Sequence, residues 1–150
     1  MTTTIDIAQL EPLFHGLETI VADTDYTQTL TDFHQVTAGV EMAAFGGEHT
    51  PGGEAWAPLA ESTVKKKGHD RILYESGDLL ASLVEVGGPG NINEASDHGS
   101  IYGTEVPYAI FHETGTSRMP ARPAIGLNDE AVDILADRVA NATIEAIGRM

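Results

Sequence analysis

At 150 residues, the chain has the length of a single domain, which is enough to bury a hydrophobic core without cross-links. It contains no cysteine, which excludes disulfides, thiolate nucleophiles and zinc or iron–sulfur sites with cysteine ligands. Its 23 acidic and 8 basic residues give a net charge of −15, the opposite of what a protein needs to bind nucleic acid by neutralising phosphates.

The sequence shows no sign of a membrane segment. No apolar run approaches the roughly 20 residues that a helix needs to cross a bilayer. The first four residues, Met-Thr-Thr-Thr, also lack the basic stretch of a secretory signal peptide. We therefore expect a soluble, unprocessed protein.

Acidic residues dominate the N-terminal third, where residues 1–54 hold nine Asp or Glu and no Lys or Arg. Three interpretations stay open. The acids could form a solvated face that keeps the protein soluble. They could reflect adaptation to high salt, where screening makes dense negative charge tolerable. They could also line a surface that DNA passes without sticking.

Two amphipathic helices are predicted in the N-terminal part. Apolar residues at three- and four-residue steps favour a helix over 8–21. A second helix is predicted over 26–45, with Asp25 capping its backbone amides, Gln28 reaching back, and Gly46-Gly47 ending it. The expected buried stripe of the second helix is Leu30, Phe33, Thr37, Val40 and Ala44.

A loop and two short helices should follow. Residues 48–58 are rich in turn-forming residues and include Trp56, the only tryptophan. The stretch "LAESTVKKKG" predicts a short helix or turn that Gly68 closes, with three lysines where a helix C-terminus favours cations. Ser76 is predicted to cap another short helix, "GDLLASL".

A β-hairpin is predicted between residues 82 and 104. The alternation in "LVEVGG" indicates its first strand, residues 87–93 a flexible bend, and "SIYGTEV" the returning strand.

The C-terminal part should contain two more helices joined by an extended segment. Pro107 suits the start of a short helix, "YAIFHETG". Residues 118–127 are too rich in proline for a central strand and are predicted as an extended edge segment. Asn128 is predicted to cap a final helix with Asp129 and Glu130 in its first turn. The expected apolar face of that helix is Ala131, Ile134, Leu135, Val139 and Ala142.

These elements predict an α+β fold in which long N-terminal and C-terminal helices pack on a small antiparallel β-sheet. We expect one domain over 1–150, made of a helical part (1–47), a part with loop, hairpin and extended segment (48–127), and a C-terminal helix (128–150).

Two motifs raise the possibility of an enzyme. His112-Glu113 could begin a zinc site, but the position four residues after His112 is Thr116, so the second imidazole of H-E-x-x-H is missing. We expect His112 to be a satisfied polar residue at a helix end, and no metal or cofactor. Asp23-x-Asp25 matches the first motif of haloacid-dehalogenase-like phosphatases, in which the two carboxylates share Mg²⁺. The alternating strand–helix order of that fold is missing.

Four collinear segments together carry a resemblance to a known family. They are Gly53-x-x-Trp56-x-Pro58-Leu59 with Ser62-Thr63, Ile72-Leu73 with Ser76-Gly77-x-Leu79-x-x-Ser82, Tyr108-Ala109-x-x-His112-x-x-Gly115, and Met119-Pro120-Ala121-Arg122-Pro123-x-x-Gly126-Leu127. Their order and spacing resemble the phage virion morphogenesis family, which includes the tail completion proteins of Mu-like phages. The resemblance covers roughly residue 45 to the C-terminus and departs from the family at Ala124, where a large apolar residue is common.

The resemblance implies a non-enzymatic structural virion protein, assembled in the host cytoplasm, that completes or terminates the tail and joins it to the head connector in the neck. It implies a closed ring of copies, hexameric by analogy with tail symmetry, that contacts the tail tube and the connector or stopper proteins while DNA passes without specific binding. A head-side completion protein or adaptor and a small metal-dependent hydrolase built on Asp23 and Asp25 are the alternatives. The candidate subunit-interface residues are Trp56, Lys65, Lys66, Lys67, Arg118, Met119 and Arg122.

Overall fold

The computed structural model describes residues 11–150; residues 8–10 of the predicted first helix lie outside this range. The helices are α1 (Glu11–Asp23), α2 (Thr27–Gly47), α3 (Glu61–Lys67), α4 (Asp78–Val84), α5 (Ala109–Thr114) and α6 (Asp129–Gly148), and the strands are β1 (Asn91–Ala95) and β2 (Ser100–Thr104). The α+β prediction is confirmed, because the long terminal helices flank a small antiparallel sheet.

The long helix α2 is the central element, since it contacts α4, α6 and both strands. Because these elements pack on several sides of α2, a wider stripe of its residues is buried than the sequence pattern predicted. Three predicted positions, Phe33, Thr37 and Ala44, are buried, whereas Leu30 and Val40 are only half-buried. The buried residues of α2 that the prediction missed are His34, Ala38, Glu41 and Phe45.

The start of α2 differs in detail from the predicted capping box. Tyr26 is the residue at the helix boundary, and the Asp25 carboxylate one position earlier accepts hydrogen bonds from the Thr27 backbone amide, at 2.8 Å, and from the Thr27 hydroxyl. These hydrogen bonds hold the pKa of Asp25 below its ordinary value. Gln28 does not reach back, because its amide donates to Asp32 one turn further on.

The hairpin exists, but its first strand lies later in the chain than predicted. The segment predicted as a strand from Leu83 onward continues α4 as far as Val84. Ser82 and Leu83 are buried on the inner face of that helix, so helical packing overrides the short alternating pattern. Strand β1 pairs with β2 in antiparallel register from Asn91↔Thr104 to Ala95↔Ser100.

The shorter helices confirm the predicted stop signals. Gly68, with φ 79°, ends α3, and Gly115, with φ 71°, ends α5. Asn128 caps α6 by accepting a 2.8 Å hydrogen bond from the Ala131 amide. The predicted cap at Ser76 differs, because Gly77 is the N-cap residue of α4; the Ser76 hydroxyl, one position earlier, accepts from the Asp78 amide at 3.3 Å.

The main apolar core lies between α2, α4 and α5. Its buried members are Ala44, Phe45, Trp56, Ile72, Leu79, Leu83, Ala109 and Ala124. By contrast, α1 buries none of its residues, and α6 buries only Ala131 of its predicted apolar face. The two terminal helices therefore keep apolar side chains at the surface.

The segment after α5 does not form the predicted sheet edge. Thr116 and Met119 form an isolated bridge, and residues 120–128 carry no regular secondary structure. The segment is instead held by contacts to other parts of the chain.

Candidate assembly surface

The His-Glu pair of α5 fastens the following segment to the helix. The Glu113 carboxylate accepts hydrogen bonds from the backbone amides of Ala124, at 2.8 Å, and Ile125, at 3.1 Å. The carbonyl of His112 accepts one from the amide of Arg122 at 2.6 Å. A carboxylate that binds two successive amides stabilises an irregular backbone, so the pair works as a structural joint.

His112 itself is not fully satisfied, contrary to the sequence prediction. Its Nδ1 is buried with no hydrogen-bond partner. Burial, followed by the positive charges of Arg122 and Lys67, holds the pKa of His112 below its ordinary value. The ring is therefore neutral near pH 7. Among residues 11–150, no three His, Asp or Glu side chains lie together as a metal site would require.

Gly115 allows the chain to turn back closely after α5. Its φ of 71° lies in the left-handed region, and a Cβ there would stand 2.7 Å from the backbone nitrogen of Ala121. Real Cβ atoms do not approach backbone this closely, so only glycine fits both the conformation and the space.

Two of the candidate interface residues are buried inside the chain. Trp56 is 5% exposed, and its indole N–H donates to the Pro123 carbonyl at 2.8 Å. Arg122 is also 5% exposed, and its guanidinium donates to the carbonyls of Ala57, at 2.7 Å, and Pro58, at 2.9 Å. These bonds fasten the tryptophan loop to the segment after α5. Their polar groups therefore face this chain's own backbone, and a role at a subunit contact stays a prediction.

The other candidates lie at or near the surface. Lys65 and Lys66 are exposed on the last turn of α3, while Lys67 is half-buried and donates to the Arg71 carbonyl at 2.9 Å. Arg118 is exposed and Met119 is half-buried in the turn after α5.

A groove brings four of the seven candidates together. We call it the α3–α5 groove; its volume is about 1110 Å³, and it is lined by Lys67, Arg118, Met119 and Arg122. Its other charged lining residues are Glu75 and Asp78, and its apolar and aromatic lining residues include Leu59, Leu73, Tyr74, Leu79, Tyr108 and Phe111. Trp56 does not line it, and neither do Lys65 and Lys66.

Sequence reasoning missed the aromatic residues of this groove. Tyr108 is 42% and Phe111 53% exposed, because the short helix α5 buries only Ala109. A signal was present: Tyr108, Ile110 and Phe111 are three large side chains within four positions at the start of a six-residue helix, more than one buried face can hold.

A second unusual feature is a carboxyl group beneath the hairpin. Glu41 is 1% exposed, and neither of its side-chain oxygens has a hydrogen-bond partner. Burial, with a smaller effect from the charge of Glu113, raises the pKa of Glu41 to about 8. Burial, followed by the charges of Glu41 and Glu113, raises the pKa of Tyr102. Glu41 is enclosed rather than open to a cleft, so it affects stability rather than substrate chemistry.

His34 lies on the same buried side of α2. It is 1% exposed, its Nε2 bonds to the Ser100 hydroxyl, and its Nδ1 has no partner. Burial lowers the pKa of His34. Periodicity could have found both residues, since Glu41 lies four residues after the buried Thr37 and His34 lies next to the buried Phe33.

The structure does not place Asp23 and Asp25 in the setting that a phosphatase of this type requires. Asp23 ends a helix and the Asp25 carboxylate is engaged by Thr27, so neither follows a strand. The sheet within the described residues is two-stranded and antiparallel, not the parallel sheet that this chemistry uses.

Comparison with known protein families gives a match that spans most of the chain. A model of the phage virion morphogenesis family matches residues 5–143. The chain belongs to this family. The match begins far earlier than the sequence resemblance suggested, so the acidic N-terminal part belongs to the family's extent as well.

A Mu-like prophage protein, the FluMu G protein 1 of Haemophilus influenzae, is 36% identical over 92 residues. The matched stretch is 59% of this chain and 59% of that protein's length. No solved structure matches the chain.

Family membership establishes a role in phage virion morphogenesis and implies a virion-associated protein. No helix of the described residues is long and apolar enough to span a membrane. Ala124 is 1% exposed within the cluster that contains Trp56 and Phe45.

Proposed function

We propose that this protein completes or terminates the tail of a tailed phage and joins it to the head connector, as a closed ring of copies in the neck. It acts by assembly rather than catalysis. The family match and the Mu-like prophage relative support a structural role in the virion.

The main observation in support of a ring is the amount of apolar surface that the single chain leaves exposed. Large apolar side chains stand out from α1, α5 and α6, and most are about half exposed or more. They are Leu13, Phe14, Leu17, Val21, Ile110, Phe111, Val132, Ile144 and Ile147. Soluble monomers rarely keep large contiguous apolar patches, so these faces are suited to contacts with other copies or with the tail tube and connector.

The charge distribution suggests how DNA passes through the ring. With nine acids and no Lys or Arg in residues 1–54, a channel wall built from this part would repel the DNA backbone. A structure of the assembled ring tests this idea. Acids on the channel wall support it, whereas a neutral or basic wall with the acids on the outer rim would favour adaptation to high salt.

Deletion of the gene, followed by electron microscopy of the particles, tests the proposed role. We expect tails of uncontrolled length or tails lacking heads. Normal virions would refute the proposal, and intact tails beside heads that lose their DNA would place the protein on the head side.

A point variant separates assembly from catalysis. Asp23→Asn removes the carboxylate on which a phosphatase would depend, but it leaves the apolar surfaces in place. We expect phage carrying Asp23→Asn to join heads to tails normally, and a loss of joining with the protein still folded and incorporated would contradict a purely structural role.

A further inference from the structure

The α3–α5 groove combines an apolar lining with positive charge in a strongly acidic protein. Tyr108 and Phe111 present exposed aromatic rings to it, and Lys67 and Arg118 contribute cations. Arg122 adds positive charge to the lining, but its guanidinium is buried and bonded to this chain's own carbonyls. With its two acids, the groove is close to neutral or slightly positive, although the whole chain carries a net charge of −15. It is therefore suited to a partner with apolar side chains and negative charge.

The groove is large enough to hold a row of side chains from a peptide segment. Its volume of about 1110 Å³ exceeds the roughly 300–1,000 Å³ that small-molecule pockets occupy. An amphipathic helix that lays its apolar face into such a groove is a common mode of recognition.

Helix α1 has the complementary properties. Its apolar residues Leu13, Phe14, Leu17 and Val21 are between 38% and 59% exposed, and none of its residues is buried. The positions 13, 17 and 21 repeat every four residues and so share one face. The acids of α1 are Glu11, Glu18 and Asp23, and it contains no Lys or Arg.

The helix does not cover the groove of its own chain. It contacts α6, and the carbonyl of Val21 lies 3.3 Å from the His98 ring nitrogen in the hairpin turn. The residues that line the groove all come from between Pro58 and Arg122. The apolar face of α1 and the groove are thus two separate surfaces, each without a covering element among the described residues.

We propose that the apolar face of α1 from one copy lies in the α3–α5 groove of the next copy, with the acids of α1 near Lys67 and Arg118. This contact rests on the proposed ring and deepens it, because it assigns the two surfaces that meet. It is heterologous, since one patch meets a different patch, and such a contact forms rings when the rotation closes.

The absence of cysteine in the chain permits a direct test by site-specific cross-linking. Leu17→Cys marks the α1 face, and the isosteric Ser76→Cys marks the groove wall. Phage carrying both substitutions are purified and treated with a bismaleimide reagent. We expect a ladder of multimers from the double variant and only monomer from either single variant.

Matched controls make the result specific. Met42 is exposed on α2, so it is not part of α1, and it does not line the groove; the pair Met42→Cys with Ser76→Cys should therefore give no ladder. Particles that contain the double variant at normal level but yield no cross-linked species would overturn the contact and leave the proposed ring intact. Particles that lack the protein altogether would overturn the proposed virion function and the contact with it.

A mixing experiment tests the direction of the contact with purified full-length protein. Leu17→Asp should abolish association through α1 and Phe111→Asp through the groove, while Met42→Asp should leave it unchanged. Because each interface variant keeps one intact surface, an equimolar mixture of the two should form heterodimers and no larger species. Wild-type-like multimers from either variant alone would overturn the proposal.

Discussion

Replacing Glu41 by glutamine should change how the stability of this protein depends on pH. The Glu41 carboxyl is buried with no hydrogen-bond partner, and its pKa is raised to about 8 from an ordinary value of 4.5. The folded protein therefore keeps a proton that the unfolded chain releases as the pH rises above 4.5.

The magnitude follows from this difference in pKa. Between pH 4.5 and about 8, the free energy of unfolding falls by about 1.4 kcal/mol for each pH unit, because folding must take up the proton. At pH 7 the penalty is about 3 kcal/mol, a large part of the roughly 5–15 kcal/mol that stabilises a domain. The contribution of the Glu41 carboxyl to the free energy of unfolding is fully present below pH 4.5 and decreases as the pH rises to about 8. Above that pH it does not change further.

Glu41→Gln removes the titration but keeps nearly the same size. Its amide N–H groups enter a site that offers the carboxyl no partner, which costs about 1–3 kcal/mol at every pH. We therefore expect the variant to be the less stable protein at pH 5 and to gain about 1.4 kcal/mol relative to the wild type per pH unit up to pH 8.

Urea unfolding followed by circular dichroism at pH 5, 6, 7 and 8 measures this difference at one fixed protein concentration. The exposed Glu54→Gln substitution controls for the loss of one negative charge and should give a profile parallel to the wild type. If the Glu41→Gln profile also ran parallel to the wild type, the burial argument would be refuted.

Four further substitutions test individual contacts of the fold. Trp56→Phe should lower the free energy of unfolding by about 1–2 kcal/mol, through the lost indole hydrogen bond and packing, and an unchanged urea midpoint would contradict this. Arg122→Lys should lower the free energy of unfolding by about 1–3 kcal/mol, since an ammonium cannot reproduce the two hydrogen bonds of the guanidinium to the Ala57 and Pro58 carbonyls. Thermal unfolding that matches the wild type would argue against a stabilising role for these bonds. Gly115→Ala should cost more than Gly53→Ala, because both have positive φ but only the first meets backbone atoms within 4 Å, and equal costs would count against steric exclusion. Asn128→Ala should remove the cap of α6 at a cost of about 1 kcal/mol, measured as faster amide exchange in its first turn, and unaltered exchange would show that the cap contributes nothing.

Local signals predicted the helices well and the strands less well. The stop signals at Gly68 and Gly115 and the cap at Asn128 depend mainly on residues close by in the chain, so sequence reveals them. Strand β1 is the polar stretch "NINEA", which has little intrinsic strand tendency. Tertiary bonds help to fix it: the Asn91 side chain donates to the Ser82 carbonyl and accepts from the Gly87 amide.

The candidate site was only partly predictable for a related reason. The sequence identified Arg122 and Trp56 as candidate interface residues. It could not show that their hydrogen-bonding groups face carbonyls more than sixty positions away. The groove was not foreseen either, because its walls come from segments that are distant in sequence. Exposure of Phe111 likewise depends on what packs nearby, which a periodic pattern does not contain.

The bonds from Trp56 to Pro123 and from Arg122 to Ala57 and Pro58 close a loop of more than sixty residues. Contacts this distant in sequence form slowly, because the entropy of closing the loop must be overcome before any of them stabilises the chain. We therefore expect the groove to be completed late in folding, after the local helices. A newly synthesised copy would then become competent to assemble only once its own fold is complete, so partly folded chains would be left out of the particle.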